Sequence, residues 1–241
     1  IMMKFLDGMT TAEKLRQMRV SRYEIPKVAF MPHSLKDVED MYQAMQEFES
    51  SDQIVCAMGG LGLPTRILAE KFNSYLTYTS PAEFCLSDLG HIDPKTLDEI
   101  YHYHNIDENT SLFGITGFPL KYTSSPTIQN QFFQKERINA VYIPFKAEKA
   151  SEAFEFAGTL DIKGFSVTIP HKEDIIKHLQ KTDKKVDEIG ACNTVINENG
   201  IWTGYNTDCS GFAKALCEFT GQKNLKKQKV AIIGAGGAAK A

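Results

Sequence analysis

The chain has 241 residues, 42% hydrophobic and 24% charged, with 27 Lys and Arg against 30 Asp and Glu for a formal net charge of −3. That length can bury a substantial core in one large or two ordinary domains, and the composition is that of a soluble globular protein. The small, interspersed charge gives no electrostatic case for nucleic acid or a membrane surface, no apolar stretch reaches the roughly 20 residues that span a bilayer, and the first residues lack a secretory pattern, so a cytosolic protein is expected.

In chain order, apolar runs alternate with helical patterns through the first hundred residues. Lys27 to Met31 (KVAFM) and Gln53 to Met58 (QIVCAM) read as buried strands, and Leu76 to Thr79 as a third, shorter one. Between them SLKDVEDMYQAMQEF carries Ser34 as N-cap, Asp37 three residues on, and Val38, Met41, Tyr42 and Met45 on one face. LPTRILAEKF repeats the pattern, with Pro64 near the start of a helix. Such alternation implies a parallel sheet, open or closed into a barrel. HNIDENTSLFG, polar at its centre, is expected to mark a domain boundary. Beyond it SLFGITG, AVYIPF and GFSVTIP read as strands and IQNQFFQKERI as a helix. The basic patch Lys223, Lys226, Lys227, Lys229 reads as a solvated turn before a further strand, VAIIG. Cys56, Cys85, Cys192, Cys209 and Cys217 form no CxxC pair, so neither zinc, nor any other metal site, nor a disulfide framework is expected.

Four kinds of stretch could carry chemistry. In GAGGAAKA, a strand, a glycine turn (Gly234, Ala235, Gly236, Gly237, Ala238) and a helix start would place backbone N–H groups around a phosphate; a plain tight turn fits the residues equally. The residue that separates NAD from NADP would lie about 20 positions further on, outside this sequence. In GFSVTIPHKEDIIKHL, Lys172 follows a strand's carboxyl end, where open α/β sheets hold ligands, although a lone lysine opening a solvated helix is commoner. IGACNTV and GYNTDCSGF gather Asn193, Asn206, Thr207 and Asp208 in uncharged turns, a pattern that also serves Asx turns and caps. Near the start, Lys27 opens an apolar strand. A desolvated, neutral amine there could form a Schiff base; on pattern alone a lysine that snorkels to water is favoured.

FGITGFPLKYTSSPTIQNQFF, GFSVTIPHK, IGACNTV, GYNTDCSGF and IGAGGAAKA, in this order and spacing, resemble shikimate dehydrogenase from about Leu112 to Ala241. The resemblance implies that Lys172 and Asp208 form the catalytic pair. It implies that Thr123, in place of the usual serine, and Ser125 hold the substrate carboxylate, and that Thr168 and Asn193 meet ring hydroxyls. Ser166 stands where asparagine is often found. NADP is the implied cofactor, on the turn from Gly234 to Ala238, for reduction of 3-dehydroshikimate to shikimate.

IPKVAFMP, the AMG turn followed by PTR, and TSPAEF resemble the last third of type I 3-dehydroquinate dehydratase, a (βα)8 barrel. This implies Lys27 as the Schiff-base lysine, Arg66 as the binder of the substrate carboxylate and Met58 as pocket lining, with Thr79 and Glu83 where a serine and a glutamine are usual. The family's general-base histidine lies roughly 27 residues before the lysine, at or just before Ile1 here. The expected fold is therefore α/β: residues 1–106 as the C-terminal part of a barrel, 112–222 as a substrate-binding domain and 228–241 as the start of a Rossmann NADP-binding domain. With about three of eight barrel strands, the chain is expected to be an internal piece of a longer enzyme that alone turns over neither substrate efficiently. Together the two resemblances are those of bifunctional enzymes acting on 3-dehydroquinate and 3-dehydroshikimate. Alternatives are a non-catalytic quinate or shikimate sensor, or a quinate dehydrogenase on the same fold.

Overall fold

The computed structural model describes residues 11–18, 23–48, 52–86, 90–120, 123–222 and 229–241. Lys223, Lys226 and Lys227 of the basic patch, and the expected position of the general base, lie outside them.

The first hundred residues form α1 (Thr11–Met18), β1 (Lys27–Phe30), α2 (Leu35–Gln46), β2 (Ile54–Ala57), α3 (Leu63–Ile67) and α4 (Pro94–Glu99). β1 and β2 are parallel, with Lys27 opposite Ile54 and Phe30 opposite Ala57. Ser34 caps α2 as expected, and the Asp37 carboxylate accepts from the backbone N–H groups of His33 at 2.6 Å and Ser34 at 3.2 Å. Leu35, Val38, Met41 and Met45, spaced three and four apart, are fully buried.

Three expectations for this segment need correction. β1 is only half-buried, because among the described residues it has β2 on one side and no strand on the other. Leu76 to Thr79 is not a strand: after Tyr75 N–H donates to Gln53 O, the chain leaves the ladder, and the Thr77 hydroxyl donates to Arg66 O instead. The helix in LPTRILAEKF stops at Ile67, where Leu68 N–H closes on Pro64 O and the chain turns.

The second segment contains β3 (Ser111–Gly117), α5 (Ser125–Lys135), β4 (Ala140–Lys146), α6 (Ala150–Thr159), β5 (Ile162–Val167), β6 (Lys181–Thr182), α7 (Lys184–Ile189), β7 (Thr194–Glu198), β8 (Ile201–Tyr205), α8 (Asp208–Thr220) and α9 (Gly237–Lys240). Its sheet runs β4-β3-β5-β7-β8-β6. β3 is parallel to both neighbours, whereas β7 is antiparallel to β5 and to β8. A two-residue loop joins β7 to β8, and both of its residues, Asn199 and Gly200, have positive φ (54° and 84°). Asn-Gly is the pair such hairpin turns favour. Phe145, Phe156, Ile143 and Ile162 fill the core, which is continuous with the buried face of α2. There the Thr159 hydroxyl donates to the Glu39 carboxylate.

VAIIG is a further correction. Among the described residues no strand pairs with it, and Val230, Ile232 and Ile233 are exposed. An apolar run of this kind becomes a strand only with parallel neighbours to bond to. The glycines after it do lead into a helix, the short α9.

Candidate active sites

Strand direction assembles the first site. β5 ends at Val167 and the chain continues through Thr168 to Lys172. Because β7 is antiparallel to β5, its first residue, Thr194, lies at that carboxyl end, opposite Ser166. β8 reverses again, so Tyr205 lies opposite Thr194. Asn193, just before β7, and Asn206 to Asp208, just after β8, are thereby returned to the end of β5.

The side chains then close a network. Lys172 Nζ donates to Asp208 Oδ2 at 2.5 Å, with side chains 16% and 34% exposed. Asn193 Nδ2 donates to Asp208 Oδ1 at 2.7 Å and to the Thr207 hydroxyl at 2.9 Å, while Asn193 Oδ1 accepts from Thr207 N–H at 2.9 Å. Asp208 is the first residue of α8, where the positive end of the helix dipole favours a carboxylate. The backbone below Lys172 is held from two sides. Buried His171 donates through Nε2 to Ala147 O at 2.7 Å, and Lys172 O accepts from Cys192 N–H at 2.7 Å. Asn206 is structural: its amide donates to Ala191 O and accepts from Cys209 N–H. A cleft of about 420 Å³ opens beside the pair, lined by Lys172, Thr207, Asp208, Phe212, Ala238 and Ala241.

Thr123, Ser125 and Thr168 lie beyond the carboxyl ends of the adjacent strands β3 and β5 and make no hydrogen bond to the pair. Ser125 N–H donates to the Thr123 hydroxyl oxygen at 3.2 Å, which leaves the Thr123 proton available to a ligand. Gly117 ends β3 against Thr168, and a Cβ there would stand 2.8 Å from Ile169 O, so the strands can meet this closely only at glycine. Ser166 accepts from the Tyr142 hydroxyl at 2.8 Å, and burial pushes that phenol up to about 12. Tyr142 is in turn clamped by Asn130, whose amide bonds both its N–H and its carbonyl. Of the Asn130–Tyr142–Ser166 chain, only Ser166 stands at a position that the resemblance singles out, and no sequence signal links its members. Thr207 stood in a turn already singled out.

The second group is more loosely assembled. Lys27 Nζ lies 4.0 Å from the centroid of the Tyr78 ring. Arg66, on α3, is only 7% exposed; one guanidinium nitrogen donates to Tyr78 O at 3.3 Å, and its buried Nε has no partner among the described residues. Burial pushes the Cys56 thiol up, and the positive charges of Arg66 and Lys27 act against that rise. Met58 is partly exposed just after β2. Thr79 and Glu83 lie exposed on the connection beyond Tyr78, where the structure does not bring them onto Lys27 or Arg66.

The fold and the lysine–aspartate pair define an α/β ligand-binding domain with an ammonium–carboxylate couple at the carboxyl end of its sheet. Residues 115–195 match the family model of the shikimate dehydrogenase substrate binding domain, and residues 6–108 that of type I 3-dehydroquinase. The chain thus matches, in succession, the type I 3-dehydroquinase model and the shikimate dehydrogenase substrate binding domain model, each over less than half of its length. It is similar to the chloroplastic bifunctional 3-dehydroquinate dehydratase/shikimate dehydrogenase of Arabidopsis thaliana, 32% identical over 90% of this chain and 38% of that protein. It is also similar to the shikimate dehydrogenase (NADP(+)) of Caldanaerobacter subterraneus, 44% identical over 56% of this chain and 49% of the relative. The crystal structure of shikimate dehydrogenase from Aquifex aeolicus superposes with a TM-score of 0.53 at 42% identity, over 56% of this chain and 51% of that one. The chain therefore spans about half or less of the length of these relatives. No described helix is long and apolar enough to cross a membrane.

Proposed function

We propose that the full-length protein dehydrates 3-dehydroquinate to 3-dehydroshikimate at Lys27 and reduces that product to shikimate at Lys172 and Asp208, using NADPH. The observation that carries the reading is the Lys172 ammonium held on the Asp208 carboxylate beside an open cleft. Both family matches and the bifunctional Arabidopsis relative support it. On this reading residues 1–106, 112–222 and 228–241 are the three domain segments.

In the reduction, the Lys172 ammonium gives its proton to the ketone oxygen as charge develops there, and the amine is reprotonated from solvent. Asp208 aims the lysine, and Asn193 holds Asp208 while meeting a ring hydroxyl. Thr123 and Ser125 take the substrate carboxylate, and Thr168 takes a second hydroxyl. NADPH supplies the hydride. The turn formed by Gly234, Ala235, Gly236, Gly237 and Ala238 fits the cofactor's phosphates: Gly234 has a φ of +122°, and a Cβ at Gly234 or Gly236 would meet nothing within 4 Å, so the backbone stands open. The NADP(+) named for the Caldanaerobacter relative supports this choice.

In the dehydration, Lys27 gives a proton to solvent, its amine attacks the ketone carbon, and protonation of the resulting carbinolamine hydroxyl expels water to leave an iminium. The iminium acidifies the adjacent C–H, loss of that proton expels the ring hydroxyl as water, and hydrolysis frees the lysine. The Arg66 guanidinium holds the substrate carboxylate.

Steady-state NADPH oxidation with 3-dehydroshikimate by the full-length protein tests the first half. Lys172→Ala is expected to lower kcat by about 10³-fold, within the usual range for a general acid; unchanged turnover would remove Lys172 from the mechanism. Borohydride reduction in the presence of 3-dehydroquinate is expected to leave a covalent adduct on Lys27, and its absence ends the Schiff-base assignment.

A further inference from the structure

We propose that Glu173 and Lys240 form a positioning pair that seats the glycine turn on the stem of Lys172, fixing the proton donor relative to the face from which hydride arrives. The proposal rests on Lys172 being that donor.

Two separate contacts bring α9 to the same place. Lys240 Nζ lies 2.7 Å from Glu173 Oε2, on the residue that follows Lys172. One turn earlier, Gly237 abuts the lysine itself: a Cβ there would stand 2.9 Å from Lys172 Cβ, 3.4 Å from Lys172 Cδ and 3.3 Å from Ala191 Cβ. Glycine is thus the residue that lets this backbone lie along the aliphatic stem. The ammonium meanwhile reaches away to Asp208, so the two ion pairs are adjacent without sharing a partner. Ala238 and Ala241 of the same segment line the cleft beside the catalytic pair.

The Lys240 and Glu173 side chains are 41% and 46% exposed. Pairs this open to water contribute little to folding, so stability is a poor account of this one. Its placement suits a different task. It ties the turn assigned to the cofactor to the residue beside the proton donor, and catalysis depends on holding reacting groups in close mutual geometry.

The test is a charge swap in the full-length protein, read as kcat for 3-dehydroshikimate reduction. Glu173→Lys and Lys240→Glu alone are each expected to lower kcat about 5-fold, with the substrate KM and the thermal midpoint unchanged, and the double swap to restore most of the loss. The single-variant deficits should be reproduced in the wild type by high salt, which screens exposed pairs. Gly237→Ala, which pushes on the lysine stem, should lower kcat about 10-fold. Failure of the swap to restore kcat, while Lys172→Ala still abolishes turnover, overturns the pairing and leaves the role of Lys172 intact. A rise confined to the KM for NADPH in Lys240→Glu, unrelieved by the swap, would assign Lys240 to the cofactor and equally overturn it. Full turnover in Lys172→Ala would instead remove the donor, and the proposal with it.

Discussion

The two candidate sites differ in how far the described chain completes them. Around Lys172 the charged and amide groups are paired in series: the ammonium meets Asp208, Asp208 meets Asn193, and Asn193 meets Thr207. Around Lys27 the ammonium faces a ring and Arg66 keeps a buried Nε without a partner. The contrast has a topological cause. The β5-β7-β8 order with its tight hairpin folds three turns back to one strand end, so about forty consecutive residues close their own network. A parallel βα unit returns nothing locally; each strand end meets only what its lateral neighbours bring. A site built the first way is preorganised before ligand arrives, and one built the second way leaves donors open for it.

The strongest test of that contrast is Asp208→Asn in the full-length protein. The amide preserves the shape but not the charge, so the hydrogen bond from Asn193 can persist while the lysine loses its counter-ion. Reduction is expected to fall about 10²-fold in kcat with the fold intact by circular dichroism. Near-normal kcat would make the network a structural brace. Arg66→Ala probes the other side and a smaller effect. If the guanidinium holds the substrate carboxylate, the KM for 3-dehydroquinate should rise about 10- to 100-fold, the range of one or two charged hydrogen bonds, with kcat less affected. An unchanged KM in a steady-state dehydration assay would leave that guanidinium without a ligand.

Much of this arrangement was legible in the residues, and the illegible parts have definite causes. The β1–α2–β2 unit follows from apolar spacing and the Ser34/Asp37 box, both local. The meeting of Lys172, Asn193 and Asp208 could be anticipated from three polar turns at strand ends; the hairpin that brings them together was announced by Asn199-Gly200 but not read. Leu76 to Thr79 and VAIIG have strand composition, yet a strand also needs a neighbour to bond to, which composition does not report. The Asn130–Tyr142–Ser166 chain joins a helix and two strands across the sheet, and such long-range contacts leave no periodic trace.

The smallest expected effect separates two kinds of unpartnered group. Thr116 on β3 is 0% exposed, and its hydroxyl, like Arg66 Nε, is buried without a partner among the described residues. The resemblance ends there. Arg66 carries a charged side chain on α3, whereas Thr116 lies within the sheet between Phe145 and Val167, where no ligand can reach it. Its hydroxyl should therefore cost stability without serving binding. Thr116→Val replaces that hydroxyl with a methyl of similar size and is expected to raise the unfolding free energy by about 1 kcal/mol in urea titrations, with kcat and KM for reduction unchanged. A loss of about 1 kcal/mol would mean that the hydroxyl is satisfied in solution, by an ordered water or a shifted carbonyl. In that case no buried side-chain polar atom among the described residues of the second segment would be idle, and the contrast with the Arg66 site would be sharper still.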